Sequence, residues 1–332
     1  MRKVTVIPGD GIGPEVIGSA LEVLRAVDAP LEVHRADMGL ACYQRTGSYL
    51  PQETLDLLEE SDAALFGAIT SPTTYDPDYR SPLLRLRKAF DLYANVRPVR
   101  RPHPTVGLVA LDVVIVRENT EGMYTGVERD VPGGVITERL VTRKACERIV
   151  DRALSICREE GRKSVTCVHK SNVLRRSDGL FREVFWERVR GSGIEGRELL
   201  VDAAAAALVQ RPESLECLVT LNLYGDILSD EAAALAGGLG FAPSVNLGES
   251  FALFEPTHGS APDIAGKDRA NPVAAILSAA MMLRYLEMDE KAVRIERTVT
   301  EAIGRGIRTA DAGGRMGTAE FTKRFLELLS SA

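Results

Sequence analysis

Residues 218–231 have the sequence LVTLNLYGDILSDE, which is typical of a buried strand that runs directly into a helix. Asp226 and Asp230 lie four residues apart at this junction, so a helix would place them about one turn apart on one face. Like charges at that spacing repel each other, whereas Mg²⁺ or Mn²⁺, which prefer oxygen ligands, would make the pair favourable. Alternatively, Asp226 caps the helix and Asp230 complements its dipole. The pattern allows both interpretations.

Strand-like runs recur along the chain and mostly alternate with segments of helical period. After a first strand at 4–7, they occupy 31–36, 63–68, 93–97, 108–116, 163–169, 195–201, 217–223 and 245–254. This alternation predicts an α/β fold with a largely parallel sheet. The exception is 124–141, where glycine and proline interrupt β-rich pieces, and we expect an antiparallel hairpin or arm that contacts another subunit. Segments rich in Pro and Gly at 98–107 and 237–248 are the candidate domain boundaries.

Composition narrows the class of protein. The 332 residues are 45% hydrophobic and 27% charged, which is enough chain for two domains of ordinary size. A net charge of −6 and a pI near 5.5 argue against nucleic acid as the main partner. The five cysteines are widely spaced and form no C-x-x-C pair, so we expect neither a disulfide framework nor a zinc site. Because neither a signal-peptide core nor a membrane-spanning apolar run is present, we expect a cytoplasmic protein with no membrane partner.

The first strand leads into the sequence GDGIGPE at 9–15, in which Pro14 suits the first turn of a helix. A dinucleotide fingerprint, G-x-G-x-x-G, would need glycine at position 14, so this segment does not match it. It is either a tight turn or a place where a ligand approaches the backbone closely.

Charged residues stand beside or at the ends of several buried strand-like runs: Arg87, Arg97, Arg117, Lys170 and Asp202. Ligands of open α/β sheets bind at the carboxyl ends of strands, and arginine suits the recognition of carboxylates. A surface lysine and a helix N-cap are the simpler interpretations of Lys170 and Asp202. The irregular segment at 255–272 is rich in Pro and Gly, and loops of this length are usually functional.

Six blocks in this order resemble the β-decarboxylating dehydrogenases, the family of isocitrate, 3-isopropylmalate, homoisocitrate and tartrate dehydrogenases. They are GDGIGPE (9–15), LRKAFDLYANVRP (86–98), RENTEGMY (117–124), HKSN (169–172), NLYGDILSD (222–230) and FEPTHGSAPDIAGKDRANP (254–272). The resemblance covers essentially the whole chain.

This resemblance implies a two-domain isopropylmalate-dehydrogenase-like fold with a mostly parallel sheet, distinct from the Rossmann fold. The large domain would be discontinuous, formed by 1–92 and 237–332 on the cofactor side, and 93–236 would form the small domain with the metal site. The arm near 124–141 would join two subunits into a homodimer, which can pair into a tetramer. The active site would lie in the cleft between the domains.

The resemblance also implies roles for individual residues. Tyr124, Lys170 and Asp202 would be catalytic: Lys170 and Asp202 from one subunit would remove the hydroxyl proton in the other, where Tyr124 would protonate the enolate carbon. Asp226 and Asp230 of one subunit and Asp202 of its partner would bind Mg²⁺ or Mn²⁺. The substrate would contact Ser81, Arg87, Arg97, Arg117 and Asn172.

NAD is the expected cofactor. By resemblance it would contact Ile12, Glu255, His258, Gly259, Ser260, Ala261, Asp263, Ile264 and Asn271. A carboxylate at Asp263 can accept a hydrogen bond from a ribose hydroxyl but repels a 2′-phosphate, which favours NAD over NADP.

The identity of the substrate depends on the segment 80–85. Leu83 and Leu84 resemble the apolar pair that receives an isopropyl group, whereas Ser81 with Arg80 or Arg85 suits a distal carboxylate. The surrounding pattern is most similar to homoisocitrate dehydrogenases, so we predict homoisocitrate first, isocitrate second and isopropylmalate last. The product would be 2-oxoadipate, in lysine biosynthesis.

Two other classes of function remain as alternatives. A non-catalytic regulatory subunit would have lost catalytic residues, and this chain carries the tyrosine, the lysine and all three aspartates. A Mg²⁺-dependent phosphate-handling enzyme would leave the loop at 255–272 unexplained.

Overall fold

The computed structural model describes residues 1–72 and 79–331. The strands are β1 (Arg2–Gly9), β2 (Leu31–Arg35), β3 (Ala63–Ala68), β4 (Ala94–Arg100), β5 (Asp112–Glu118), β6 (Glu128–Val131), β7 (Gly134–Thr137), β8 (Ser164–His169), β9 (Glu195–Leu200), β10 (Cys217–Thr220), β11 (Pro243–Leu247) and β12 (Ala252–Pro256). The helices are α1 (Gly13–Ala26), α2 (Leu40–Thr46), α3 (Gln52–Glu59), α4 (Pro82–Ala89), α5 (Arg143–Glu159), α6 (Ser177–Val189), α7 (Val201–Gln210), α8 (Asn222–Ala236), α9 (Val273–Tyr285), α10 (Asp289–Gly304) and α11 (Thr318–Ser331).

One ten-stranded sheet runs through the molecule in the order β2-β1-β3-β12-β11-β4-β5-β10-β8-β9. The pairs β12–β11, β11–β4 and β4–β5 are antiparallel and the other pairs are parallel. The predicted α/β fold with a largely parallel sheet is therefore confirmed. The first five strands in this order come from residues outside 93–236, and the last five come from inside that range.

The central strands are recognisable in the sequence because both of their faces are buried. β3, β8 and β10 are buried along their whole length, as expected when helices cover both faces of a parallel sheet. The apolar helix α9 packs against α1, α10 and β12, and nine of its residues are buried. This helix begins directly after the irregular segment that follows β12, so the core fixes where that segment ends.

The single strand predicted at 245–254 is wrong, because two antiparallel strands occupy this region. β11 and β12 are joined by a tight turn in which the Gly248 N–H donates to the carbonyl of Phe251 at 2.9 Å. A Cβ at position 248 would lie 2.8 Å from the carbonyl oxygen of Phe90, which explains the glycine. The turn sends β11 back against β4 and so creates the antiparallel centre of the sheet.

Both N-cap interpretations are also wrong. β10 ends at Thr220 and α8 begins at Asn222, so Asp226 lies in the second turn of the helix. The first turns of α8 pack closely on β5, since a Cβ on Gly225 would lie 2.7 Å from the Arg117 side chain. Asp202 is the second residue of α7, after Leu200 at the N-cap position.

The segment at 124–141 contains the predicted antiparallel hairpin, formed by β6 and β7 as a separate two-stranded sheet. Gly133, in the turn between the strands, has φ of +78°, a conformation that favours glycine. Every residue of β7 is exposed, including Val135 and Ile136. Within residues 1–72 and 79–331, the helices lack the combined length and apolar character that crossing a membrane requires.

Candidate active site

Three buried arginines converge on one cavity of about 220 Å³. Arg87 lies in the last turn of α4, and Arg97 and Arg117 lie on the neighbouring strands β4 and β5. Their relative exposures are 6%, 6% and 2%, so all three guanidinium groups are largely shielded from bulk water. Tyr124 and Asp226 line the same cavity.

Polar partners on α8 make the burial of two of these arginines possible. Arg97 donates to Ser229 Oγ at 2.6 Å, to Asp230 Oδ1 at 3.1 Å and to Asp226 Oδ1 at 3.2 Å. Arg117 donates to the same Asp226 oxygen at 2.5 Å. Arg97 and Arg117 are therefore each paired with a carboxylate, as buried charges require.

Arg87 is held less completely. Its Nη2 donates to Glu255 Oε1 at a long 3.4 Å, and its Nε is buried with no hydrogen-bond partner in the described part of the chain. A buried donor without a partner is costly, so this atom is available to a ligand in the cavity.

Electrostatic coupling changes the pKa values in this cluster. Burial, and next the positive charge of Arg97, lower the pKa of Arg117 to about 10. Burial alone would raise the pKa of Asp226, but the charge of Arg117 and the hydrogen bond from Tyr124 hold it below its ordinary value. Burial raises the pKa of Asp230, with a smaller contribution from the neighbouring Asp226. The two carboxylates thus differ in environment although they share a helix face.

Tyr124 lies in a short 3₁₀ turn after β5, where its hydroxyl donates to Asp226 Oδ2 at 2.5 Å. The Arg117 guanidinium stands 5.1 Å from the centre of its ring. Burial, followed by the hydrogen bond to Asp226, raises the pKa of Tyr124. The hydroxyl therefore keeps its proton at neutral pH and can act as a proton donor inside the cavity.

Asp226 and Asp230 provide carboxylate oxygens on one face of α8, with side-chain exposures of 34% and 53%. This donor set fits Mg²⁺ or Mn²⁺, which bind oxygen ligands and retain water or substrate in open positions. Among the residues that the structure describes, three His, Cys, Asp or Glu side chains are nowhere grouped so as to hold a metal ion. A single chain thus supplies two of the three expected ligands at this place.

The third expected ligand, Asp202, lies on α7 and accepts a hydrogen bond from Lys170 Nζ at 2.8 Å. That hydrogen bond is the main reason why the pKa of Asp202 is lowered. Lys170 follows the end of β8, as predicted, and the nearby Asn172 is exposed. The structure brings Lys170 and Asp202 together, but neither residue lines the arginine cavity.

The glycine turn and the loop after β12 are packed together, which brings several expected cofactor contacts into one region. The Ile12 N–H donates to the Ser260 carbonyl at 2.9 Å, and a Cβ on Gly11 would lie 1.9 Å from the same oxygen. Thr257 and His258 line the arginine cavity. The Thr257 hydroxyl and His258 Nε2 are buried without a partner among the described residues. Such unpaired polar atoms fit a polar ligand such as NAD.

Other expected cofactor contacts differ in accessibility. Asp263 and Gly259 are exposed, whereas Ala261 and Ile264 are half-buried and pack against the core. Asn271 is buried, and its amide donates to Asp311 at 3.0 Å while its side-chain oxygen accepts from the Val273 N–H at 3.1 Å. Asn271 is thus already engaged within its own chain.

Helix α4 presents Leu83 to the cavity beside Arg87, because these residues are four apart and share a face. Ser81 caps this helix, with its Oγ accepting from the Leu84 N–H at 3.4 Å, and does not line the cavity. Arg85 is exposed and donates to the Leu50 carbonyl at 3.5 Å. Arg80 donates to the Tyr79 carbonyl at 2.9 Å, and the preceding residues 73–78 lie outside the described part of the chain.

Sequence reasoning missed the amides that organise the arginines. Asn222 accepts from Arg117 Nε at 3.0 Å and from Nη2 at 2.8 Å. Asn95 accepts from Arg97 Nε at 2.6 Å and donates to Asn246, which in turn donates to Glu255 at 2.7 Å. The available signal was a buried amide in an otherwise apolar strand, as in LYANV at 92–96.

When the sequence is compared with known proteins, the matches agree on one family. The sequence model described as isocitrate/isopropylmalate dehydrogenase matches residues 3–327. The chain is 47% identical to a 3-isopropylmalate dehydrogenase of Methanothermobacter thermautotrophicus over 96% of its length and 95% of that protein. It is 46% identical to a homoisocitrate dehydrogenase of Methanocaldococcus jannaschii, over 99% and 98% of the two chains.

A solved structure agrees with this result. The crystal structure of isocitrate dehydrogenase from Methylococcus capsulatus superposes with a TM-score of 0.96 at 40% identity, covering 99% of this chain and 100% of that one. The predicted family and its type of fold are thus confirmed, while the relatives act on different substrates according to their names. The chain belongs to the isocitrate/isopropylmalate dehydrogenase family of β-decarboxylating dehydrogenases.

Proposed function

We propose that the protein catalyses the NAD-dependent, Mg²⁺- or Mn²⁺-dependent oxidative decarboxylation of a 3-carboxy-2-hydroxy acid, with homoisocitrate as the preferred substrate. The observation that carries this proposal is the convergence of three buried arginines with Tyr124 and Asp226 in one cavity. Cationic groups of this kind suit a small polycarboxylate, and Tyr124 stands beside them as a proton donor.

Each group in the cavity has a defined task. The guanidinium groups of Arg87, Arg97 and Arg117 bind and orient the substrate carboxylates, and the unpartnered Nε of Arg87 gains an acceptor. When bound, the divalent cation would supply Lewis-acid chemistry and NAD the hydride acceptor. Tyr124 delivers its proton to the carbon that has lost CO₂. The remaining step, removal of the hydroxyl proton, belongs to Lys170 with Asp202.

Lys170 and Asp202 would come from a second chain. In support, they contact each other, and neither lines the cavity of its own chain. Exposed apolar side chains on α7, α8 and the arm support this homodimer: Val135 at 60%, Leu140 at 50%, Val209 at 50% and Ile227 at 58% exposure. Such apolar surface is costly in a monomer and suits a second copy. We therefore propose a site that is shared between two subunits.

Complementation tests this shared site. Lys170→Ala and Asp226→Ala homodimers should each be inactive, and mixing them with verified subunit exchange should restore activity, because one site in each hybrid is intact. If both parents are folded and exchange, continued inactivity would contradict the shared site.

The sheet order supports the two proposed domains. One is formed by 1–92 together with 237–332, and the other by 93–236. The boundary falls between β11 and β4, at the antiparallel centre of the sheet. The cavity takes residues from both ranges, including Glu255 and Arg117, which agrees with a cleft between two domains. Limited movement of one domain against the other would open and close this cleft.

NAD is proposed over NADP because the exposed carboxylate of Asp263 lies on the loop that carries Thr257 and His258. That carboxylate would accept a hydrogen bond from a ribose hydroxyl of NAD and would repel the 2′-phosphate of NADP. The proposed setting is amino-acid biosynthesis in the cytoplasm, specifically the step from homoisocitrate to 2-oxoadipate in lysine biosynthesis.

For the substrate, homoisocitrate is supported by the composition of α4. Leu83 offers apolar contact to the methylenes of a longer chain. Arg85 is exposed, and its one hydrogen bond to another described residue is a long one of 3.5 Å to the Leu50 carbonyl, so its guanidinium can turn towards a distal carboxylate. An isopropyl substituent would leave this cation without a ligand partner.

One observation favours isopropylmalate as a second candidate. Leu83 lines the cavity and Ser81 does not, so the surface that would meet the substituent is apolar in this structure. Steady-state kcat/KM values for homoisocitrate, isocitrate and isopropylmalate, each with NAD and NADP, decide between the two. We expect homoisocitrate to rank first with NAD. If isopropylmalate ranks first, Leu83 and Leu84 determine specificity and the homoisocitrate proposal is wrong.

A further inference from the structure

Asp178, the second residue of α6, is completely buried and has no role in the chemistry described above. A buried carboxylate is costly unless every oxygen is hydrogen-bonded, so its partners indicate what it does. Its Oδ2 accepts from the backbone N–H of Lys170 at 2.7 Å and from the Tyr224 hydroxyl at 3.0 Å. Its Oδ1 accepts from Arg139, and the Arg139 guanidinium lies 5.2 Å from the centre of the Tyr224 ring.

These contacts engage both backbone polar groups of Lys170, its N–H and its carbonyl. Asp178 holds the N–H, while the Lys170 carbonyl accepts from the N–H groups of Val173 at 3.0 Å and Leu174 at 2.8 Å. The Leu174 carbonyl in turn accepts from the Asp178 N–H at 3.0 Å, which closes the turn. The lysine side chain therefore leaves the end of β8 from a fixed position and reaches Asp202 at 2.8 Å.

The Ser177 hydroxyl, next to Asp178 in sequence, also donates to Oδ1 at 3.4 Å. The other three donors come from three different parts of the chain. Lys170 follows the end of β8, Tyr224 lies on α8 two residues before Asp226, and Arg139 lies in the arm, after β7. In the shared site, α8 serves its own chain, whereas Lys170 serves the partner. Asp178 thus connects α8, which belongs to the active site of its own chain, with Lys170, which belongs to the active site of the partner.

We propose that Asp178 is a positioning residue that sets Lys170 in the partner's active site and links it to α8 of its own chain through Tyr224. The inference rests on the proposed shared site. A displacement of about 1 Å in a catalytic group can reduce the rate about 10²-fold, so a backbone anchor of this kind controls kcat.

Asp178→Asn removes the anchor with little change in volume. An amide has one acceptor oxygen, so it cannot accept from both Arg139 and the Lys170 N–H in the way two carboxylate oxygens do. We expect kcat to fall about 10–100-fold, with the substrate KM changed less than about threefold because the arginines that bind the carboxylates are untouched. Asp151→Asn on the exposed face of α5, where Asp151 pairs with Arg188 at 3.7 Å, is the matched control and should behave like wild type.

Hybrid dimers distinguish positioning from a general structural effect. In a hybrid of Lys170→Ala and Asp226→Ala chains, the intact site takes Lys170 from the Asp226→Ala chain and Asp226 from the Lys170→Ala chain. Adding Asp178→Asn to the lysine-donating chain should lower kcat about 10–100-fold, whereas adding it to the other chain should change kcat less than about threefold. An equal loss in both placements, or no loss in either, would overturn the inference.

Tyr224→Phe provides a second test of the same positioning role if Asp178→Asn does not fold. It removes one of the two donors to Oδ2 and leaves the ion pair with Arg139. We expect the same asymmetry with a loss of about 3–10-fold, since the Lys170 N–H retains its acceptor. If Tyr224→Phe acts only on the chain that supplies Asp226, Tyr224 supports the metal helix and the inference is wrong. An inactive parent hybrid would overturn the shared site itself, and the inference with it.

Discussion

Replacing Asn246 by leucine should both destabilise the protein and weaken substrate binding. Asn246 lies on β11 at the antiparallel centre of the sheet and is fully buried. Its side-chain oxygen accepts from Asn95 at 3.0 Å and from Asn119 at 2.9 Å, and its amide donates to Glu255 at 2.7 Å. Leucine has a similar size and shape but removes these three hydrogen bonds, and also a longer one of 3.4 Å from the Asn246 amide to the Leu253 carbonyl.

The magnitude follows from what each partner retains. The Asn119 amide keeps its hydrogen bond to the Leu92 carbonyl at 3.0 Å, so it is not left unpaired. The Asn95 amide has no second acceptor among the described residues, and an orphaned buried donor costs about 1–3 kcal/mol. Glu255 loses its short hydrogen bond, and bonds to charged groups contribute about 1.5–3 kcal/mol. The free energy of unfolding should therefore fall by about 2.5–6 kcal/mol.

The Asn246→Leu substitution should also affect the kinetics of the enzyme. Asn95 orients Arg97, and Glu255 contacts Arg87, so both arginines lose part of their fixed geometry when Asn246 is replaced. We expect the substrate KM to rise. The control is Ser244→Ala on the same strand, which removes one hydrogen bond, to the Glu255 carbonyl, and should cost only about 1 kcal/mol.

Equilibrium denaturation in urea, followed by circular dichroism, compares the two variants with the wild type. If Asn246→Leu destabilises no more than Ser244→Ala and leaves the KM unchanged, the amide network does not hold the arginines and the reasoning is refuted.

Three further predictions concern the chemistry, the cofactor and the assembly. Lys170→Ala and Tyr124→Phe should each lower kcat by about 10²–10⁴-fold, the usual contribution of a general acid or base, and near-wild-type rates in folded variants would mean that the roles are misassigned. The kcat/KM with NAD should exceed that with NADP, and Asp263→Ser should narrow the difference by removing the charge repulsion; similar values for both cofactors in the wild type would contradict this. Val135→Asp with Ile136→Asp on the exposed strand β7 should produce inactive monomers in analytical ultracentrifugation, and an active monomer would rule out a shared site.

Much of the fold was predictable because its strands are buried on both faces and therefore appear as continuous apolar runs. The runs at 63–68 and 163–169 correspond closely to β3 and β8. The prediction failed at 245–254 because two strands of high β-propensity flank a short turn, and propensity does not record where a chain reverses. The start of α8 was misplaced because the apolar run continues past the end of β10 through Leu221 and Leu223, so hydrophobicity alone does not mark where the strand ends and the helix begins.

The site was predictable to a different extent. The arginines stood out as charges beside or at the ends of buried strand-like runs, and Asp226 and Asp230 stood out by their spacing. The amide network was not predictable, because strand register brings Asn95 opposite Asn246 across 151 positions of sequence. Likewise, no local pattern indicates that Asp178 hydrogen-bonds the backbone of Lys170. Roles carried by strand order and helix packing require the structure.

The most direct test of the proposed chemistry measures NADH formation and CO₂ release together, with purified protein, homoisocitrate, NAD and Mn²⁺. We predict equal molar amounts of the two products, loss of both after chelation with EDTA, and recovery of both when Mn²⁺ is restored. NADH formation without CO₂ release, or unchanged rates after thorough chelation, would contradict the account.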